Sequence, residues 1–79
     1  MNQKKFLTLM AKSLGVNIKK ISINLKINEI EEWDSIGHLN ILSSLDKATG
    51  GKTSTIKELG TQTSLKKIWE ILKKKKLAK

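Results

Sequence analysis

The chain has 79 residues, a formal net charge of +9 and no cysteine. That length fits one small domain, residues 1–79, and the missing thiols exclude a disulfide framework and any Cys-ligated metal site. Leu, Ile, Val and Phe make up 23 of the residues, above the roughly one-fifth below which disorder is the default, while no apolar run nears the ~18 residues that cross a bilayer.

A first helix is expected from about Asn2 to Leu14. Phe6, Leu7, Leu9, Met10 and Leu14 share one arc at helical spacing, and Gly15 is a natural stop. Residues 16–33 are less regular. Val16, Ile18, Ile21, Ile23, Leu25 and Ile27 nearly alternate with polar residues, which is a strand signal. With no second convincing strand to pair with, the stretch is expected to be a long ordered loop that drops aliphatic side chains into a helical core. A second helix should start at Asp34 or Ser35 and end before Gly50-Gly51. Its apolar residues, Ile36, Leu39, Ile41, Leu42, Leu45 and Ala48, cover most of its circumference, leaving Gly37, Asn40, Ser44 and Lys47 as the polar strip. Such coverage suits a central helix or one that shows aliphatic surface to a partner. Thr55 and Glu58 have capping-box spacing and Gly60 follows at once, so a single short turn is expected there. A last helix begins after Thr61 or Thr63, with Leu65, Ile68, Trp69 and Leu72 on one arc and Lys73 to Lys76 at the end that favours cations. The expected fold is all-α: three main helices, one short helix and a long first connection.

All sixteen basic residues are lysine, and none is arginine. Arg reads phosphates and base edges bidentately, so this composition is a poor match to nucleic-acid recognition. The charge is also segregated. Residues 27–46 hold Glu29, Glu31, Glu32, Asp34 and Asp46 and no lysine, while the rest of the chain has only Glu58 and Glu70 against every lysine. The N-terminal segment is mixed and amphipathic rather than the apolar core of a signal peptide. A cytoplasmic monomer is expected, with no stable membrane insertion.

Within the acidic segment stands Trp33-Asp34-Ser35-Ile36-Gly37-His38-Leu39. Asp34 is suited to cap the second helix, accepting from a backbone N–H two or three residues on. Ser35 then takes the first helical position with its hydroxyl facing water. A phosphate ester there would meet the positive end of the helix dipole, so the position suits a phosphodiester. Asp34, Ser35 and His38 also carry the residue types of a hydrolytic triad. A triad, however, needs an oxyanion hole and partners brought from separate elements.

The seven-residue run resembles the Asp-Ser-Leu attachment motif of acyl carrier proteins, in a variant with Trp before and His after it. The resemblance covers nearly the whole chain. It implies a four-helix bundle without catalysis of its own and without a metal site. It implies 4′-phosphopantetheine on Ser35, with Asp34 as the neighbouring cap. A phosphopantetheinyl transferase would install the arm. An acyl- or aminoacyl-loading ligase and acyltransferase or synthase enzymes would then use it. The arm carries acyl, aminoacyl or peptidyl groups as thioesters in lipid or secondary-metabolite biosynthesis. Ile36 and Leu39 would be apolar partner contacts, with Glu31, Glu32 and Asp46 as the acidic docking residues. Thr49 stands where the family usually has Phe, and Lys47-Ala48 replaces a common acidic pair. On this reading Gly37 admits the arm or an enzyme, His38 is a partly exposed helix residue one turn from Ser35, and Trp33 and Trp69 belong to the core or its edge. A lysine-rich membrane-surface domain would need a sustained basic amphipathic helix, which the sequence lacks; the main rival reading is a small lysine-rich helical nucleic-acid-binding protein, driven by the overall +9. Against it stand the acidic segment and the lack of a reading helix with Arg, Asn or Gln.

Overall fold

The structure, a computed structural model, describes residues 1–78. Helix α1 spans Gln3–Leu14. Asn2 caps it, its side chain accepting from the Lys5 amide at 2.8 Å. Gly15 closes it in the left-handed region at φ 69°, where its N–H reaches back to the last turn. The buried face is Phe6, Met10, Ala11 and Leu14, as the apolar spacing predicts.

The connection after α1 is an ordered loop with one 3-10 turn at Ile18–Lys20. Its alternating residues divide between core and surface. Ile21 and Leu25 are buried and Val16, Ile23 and Ile27 pack against the core, whereas Ile18 is exposed. The loop does find one extended partner, the residues just before the last helix. Lys26 and Ser64 form a single antiparallel bridge, in which the Ile27 amide donates to the Thr63 carbonyl at 2.8 Å and the Leu65 amide to the Leu25 carbonyl at 3.0 Å. The alternation thus reflects backbone satisfaction at one point and intermittent burial elsewhere. No strand forms among the described residues.

Helix α2 spans Ser35–Ala48. Two 3-10 turns come after it, Lys52–Thr55 and Lys57–Thr61. They occupy the place of the expected short helix, and the expected capping box is not made. Thr55 donates its hydroxyl to the Lys52 carbonyl at 3.3 Å, and no side chain caps the second turn. The spacing had the right letters, but the backbone at Thr55 closes a turn instead of opening a helix. Helix α3 spans Leu65–Lys74, with Ser64 accepting from the Lys67 amide at 3.2 Å. It buries Leu65, Ile68, Trp69 and Leu72. Trp69 meets Phe6 of α1 with ring centroids 5.0 Å apart, a separation in the favourable range for aromatic pairs.

The described chain is therefore all-α, built on three α-helices. Their ends meet in a fixed pattern. The end of α1 abuts the start of α2, because Leu14 lies against Gly37. The start of α3 lies beside the start of α2, since Thr63 and Ser35 line one groove. The end of α3 returns to the start of α1, where the Met1 amino group donates to the Leu77 carbonyl at 3.3 Å. No helix is long and apolar enough to cross a membrane, among the described residues.

Candidate functional site at the start of the second helix

Trp33 is fully buried and anchors the turn that leads into α2. Its carbonyl accepts from the Asn28 amide at 2.9 Å, and its amide donates to the Ile30 carbonyl at 3.2 Å. Asn28 sits at φ 69°, a left-handed position that Asn tolerates better than most side chains. Asp34 is extended and caps α2, its Oδ1 accepting from the Gly37 amide at 2.8 Å. The cap leaves the Ser35 and Ile36 amides as the unpaired donors of the first turn. Ser35 is exposed at that spot. Beside it, Ile36 and Leu39 are 69% and 63% exposed. The wide apolar coverage of α2 thus resolves into a buried side, with Ile41 and Leu45, and an aliphatic patch held out to solvent.

His38 differs from expectation. It is 6% exposed, not a partly exposed surface residue. Trp33 Nε1–H donates to His38 Nδ1 at 3.2 Å, and His38 Nε2 lies 2.9 Å from the Leu59 carbonyl oxygen. With Nδ1 accepting, the tautomer that satisfies both contacts carries its proton on Nε2 and donates to Leu59. The two rings are nearly parallel, 8° apart. One imidazole therefore joins the site turn, α2 and the Lys57–Thr61 turn. Both its nitrogens are engaged away from Ser35, so it is not placed to act as the base of a triad.

Gly37 also differs. The close approach it permits is made by the chain itself. A Cβ built there would collide with the Glu32 carbonyl oxygen and lie 2.9 Å from Leu14 Cδ2. The glycine lets the site turn fold down onto α2 and lets α1 reach its start. It is buried, so it does not belong to the polar strip of the helix.

The acidic residues are not equivalent. Glu31 is exposed. Glu32 is half-buried and pairs with Lys20 at 3.8 Å, a surface pair worth at most about 1 kcal/mol. Glu29 accepts from the Lys26 amide at 2.6 Å and ties down the loop. Asp46 lies on the same stripe of α2 as Ser35 but three turns away, about 16 Å along the axis at 1.5 Å per residue. Its Oδ1 is buried without a partner, as is the Thr53 hydroxyl. Asp46 is accordingly separate from the acidic cluster around Ser35.

A groove of about 420 Å³ opens beside Ser35, lined by Ile27, His38, Leu39, Leu42 and residues 60–63. The sequence motif located Ser35, Asp34, Ile36 and Leu39. It did not reveal the two backbone carbonyls, of Glu32 and Leu59, that lock the site. A glycine inside a helix and a Trp–His pair five residues apart were the available signals. No group of three or more metal-ligating side chains occurs among the described residues. Comparison with protein-family models, curated proteins and solved structures returns no match.

Proposed function

We propose that this chain is a carrier protein of the acyl carrier type, with 4′-phosphopantetheine attached through a phosphodiester to Ser35. The observation that carries the reading is the setting of Ser35: an exposed hydroxyl at the first position of a capped helix, with unpaired amides beside it and an aliphatic patch next to it. A serine so placed has no activating base in its own chain, because His38 is turned inward. It suits a hydroxyl that another enzyme's base activates. The phosphate would rest at the positive end of α2. The short fourth helix of the family bundle corresponds, on this reading, to the paired 3-10 turns at 52–61.

The protein's contribution is positional and not catalytic. Tethering turns each transfer into an encounter at high effective concentration with successive enzymes. A phosphopantetheinyl transferase loads the arm from coenzyme A. An acyl- or aminoacyl-loading ligase charges its thiol, and a synthase or acyltransferase takes the cargo. Ile36 and Leu39, flanked by Glu31 and Glu32, form the surface those partners meet. Cytoplasmic location and a monomeric state agree with this role.

Intact-mass measurement before and after incubation with coenzyme A and a broad-specificity transferase tests the reading. The expected result is a gain of one phosphopantetheine, absent in Ser35→Ala, with the helical circular dichroism of that variant unchanged. Loading of Ser35→Ala, or no loading of a folded wild-type chain, overturns the assignment.

A further inference from the structure

The fold gathers lysines from both ends of the chain at one pole of the bundle. Lys4 and Lys5 stand in the first turn of α1, Lys73 and Lys74 end α3, and Lys75 and Lys76 follow it directly. These six are far apart in sequence, but the Met1–Leu77 contact brings their two segments to one pole. All six are exposed. No acidic residue occurs in residues 1–28 or 71–79. Ion pairs within 4 Å among the described residues are limited to Lys20–Glu32 and Lys67–Glu70, although Lys74 shares a pocket with Glu58 and Glu70. The acidic residues Glu31, Glu32 and Asp34 surround the start of α2, near where α3 begins. Helix α3 alone, at 1.5 Å per residue, puts about 15 Å between that end and the lysines.

This separation decides how the two fields act. At physiological salt, charges are screened beyond roughly 8–10 Å. A partner at the lysine pole therefore meets a predominantly cationic surface, with Glu58 and Glu70 as the carboxylates beside Lys74. The chemistry of that surface narrows the partner. Every cation is an ammonium on a flexible stem, with none of the planar forks that grip individual phosphates or base edges. Mobile point charges suit a diffuse, laterally mobile layer of anions. Met1 and Leu77 are half-buried at the same tip and pack against the core, so the attraction is carried by the lysines.

We propose that the lysine pole docks this protein, peripherally and reversibly, on an anionic phospholipid surface. The start of α2, with Ser35, Ile36 and Leu39, then faces away from the lipid and stays open to partners. Nothing crosses the bilayer in this arrangement, and the association is governed by electrostatics. The inference does not rest on the carrier reading, since it uses the opposite end of the molecule.

Flotation with phosphatidylcholine vesicles, with and without phosphatidylglycerol, tests it on the full chain. Binding is expected only to the anionic vesicles and should be released by high salt. Two triple variants of equal net charge locate the effect. Lys73→Gln with Lys74→Gln and Lys76→Gln should lower the partition roughly 10–100-fold, because each lysine near such a surface contributes a factor of several. Lys19→Gln with Lys26→Gln and Lys66→Gln, near the other end, should lower it only about two- to threefold, through loss of long-range attraction. Ser35→Ala should float like the wild type. Circular dichroism confirms that each variant is folded. Equal losses in both triples would mean that net charge alone governs binding, and the pole would have no role. Absence of flotation, or retention on duplex DNA at salt that abolishes flotation, also overturns the proposal.

Discussion

Replacing Gly37 by alanine tests the packing that shapes the site. In an ordinary exposed helix position the change stabilises by about 0.5–1 kcal/mol, because alanine has less backbone freedom to lose. Here the sign should reverse. The added Cβ collides with the Glu32 carbonyl oxygen and lies 2.9 Å from Leu14 Cδ2. The leucine methyl can rotate away, but the carbonyl belongs to backbone held on one side by Trp33 in the core. Relief requires the turn to lift or α1 to shift from α2. Overpacking of this kind costs typically 1–3 kcal/mol. Set against the helix gain, a net loss of about 1–2 kcal/mol is expected. For a domain of this size each kcal/mol moves Tm by roughly 4–8 °C, so thermal melts monitored by circular dichroism should fall by roughly 4–16 °C. Asn40→Ala, on the exposed side of the same helix, serves as the reference and should be neutral or slightly stabilising. A Gly37→Ala protein as stable as the wild type would refute the close approach of the site turn to α2.

The same geometry sets three further outcomes. His38→Ala strands the Trp33 indole N–H and the Leu59 carbonyl in the interior; a loss of about 2–4 kcal/mol in denaturant unfolding is expected, since an orphaned buried group costs roughly 1–3 kcal/mol. Asp34→Ala removes the cap of α2 and should lower stability by about 1 kcal/mol while also slowing phosphopantetheine loading; unchanged stability would show that the cap contributes nothing. Glu31→Lys with Glu32→Lys should slow loading mainly through association, less so at high salt. The reverse exchange, Lys73→Glu with Lys74→Glu at the far pole, should leave loading rates close to wild type; if it were the more damaging change, the acidic residues would not form the docking face.

The sequence made the helices readable where a cap, an apolar stripe and a stop coincide. Asn2, the Phe6–Met10–Leu14 arc and Gly15 fix α1 almost to the residue; for α3 the arc of Leu65, Ile68, Trp69 and Leu72 is legible, but the cap is Ser64 and neither Thr61 nor Thr63. The Thr55–Glu58 pair misled because capping is conditional on backbone geometry that neighbouring turns decide. In the candidate site, exposure of Ser35, Ile36 and Leu39 came from position on a helix whose buried side was already occupied. The inward turn of His38 did not. Whether a histidine faces solvent depends on which acceptor the rest of the chain delivers, and the Leu59 carbonyl comes from 21 residues away. The same holds for Gly37: its partner is a backbone atom, which leaves no mark in side-chain pattern.

The bond from Trp33 to His38 also gives the molecule an internal clock. The Trp33 indole proton is shielded by full burial and an acceptor, so it can exchange with deuterium only when the turn before α2 opens. Trp69 makes no such bond among the described residues, and its proton supplies an independent resonance for comparison. The lifetime of the Trp33 signal in heavy water thus reports how often the turn beside Ser35 opens. If that lifetime lengthened or shortened when a transferase or a cargo was present, the change would measure directly how tightly visitors to the surface are coupled to the core beneath it.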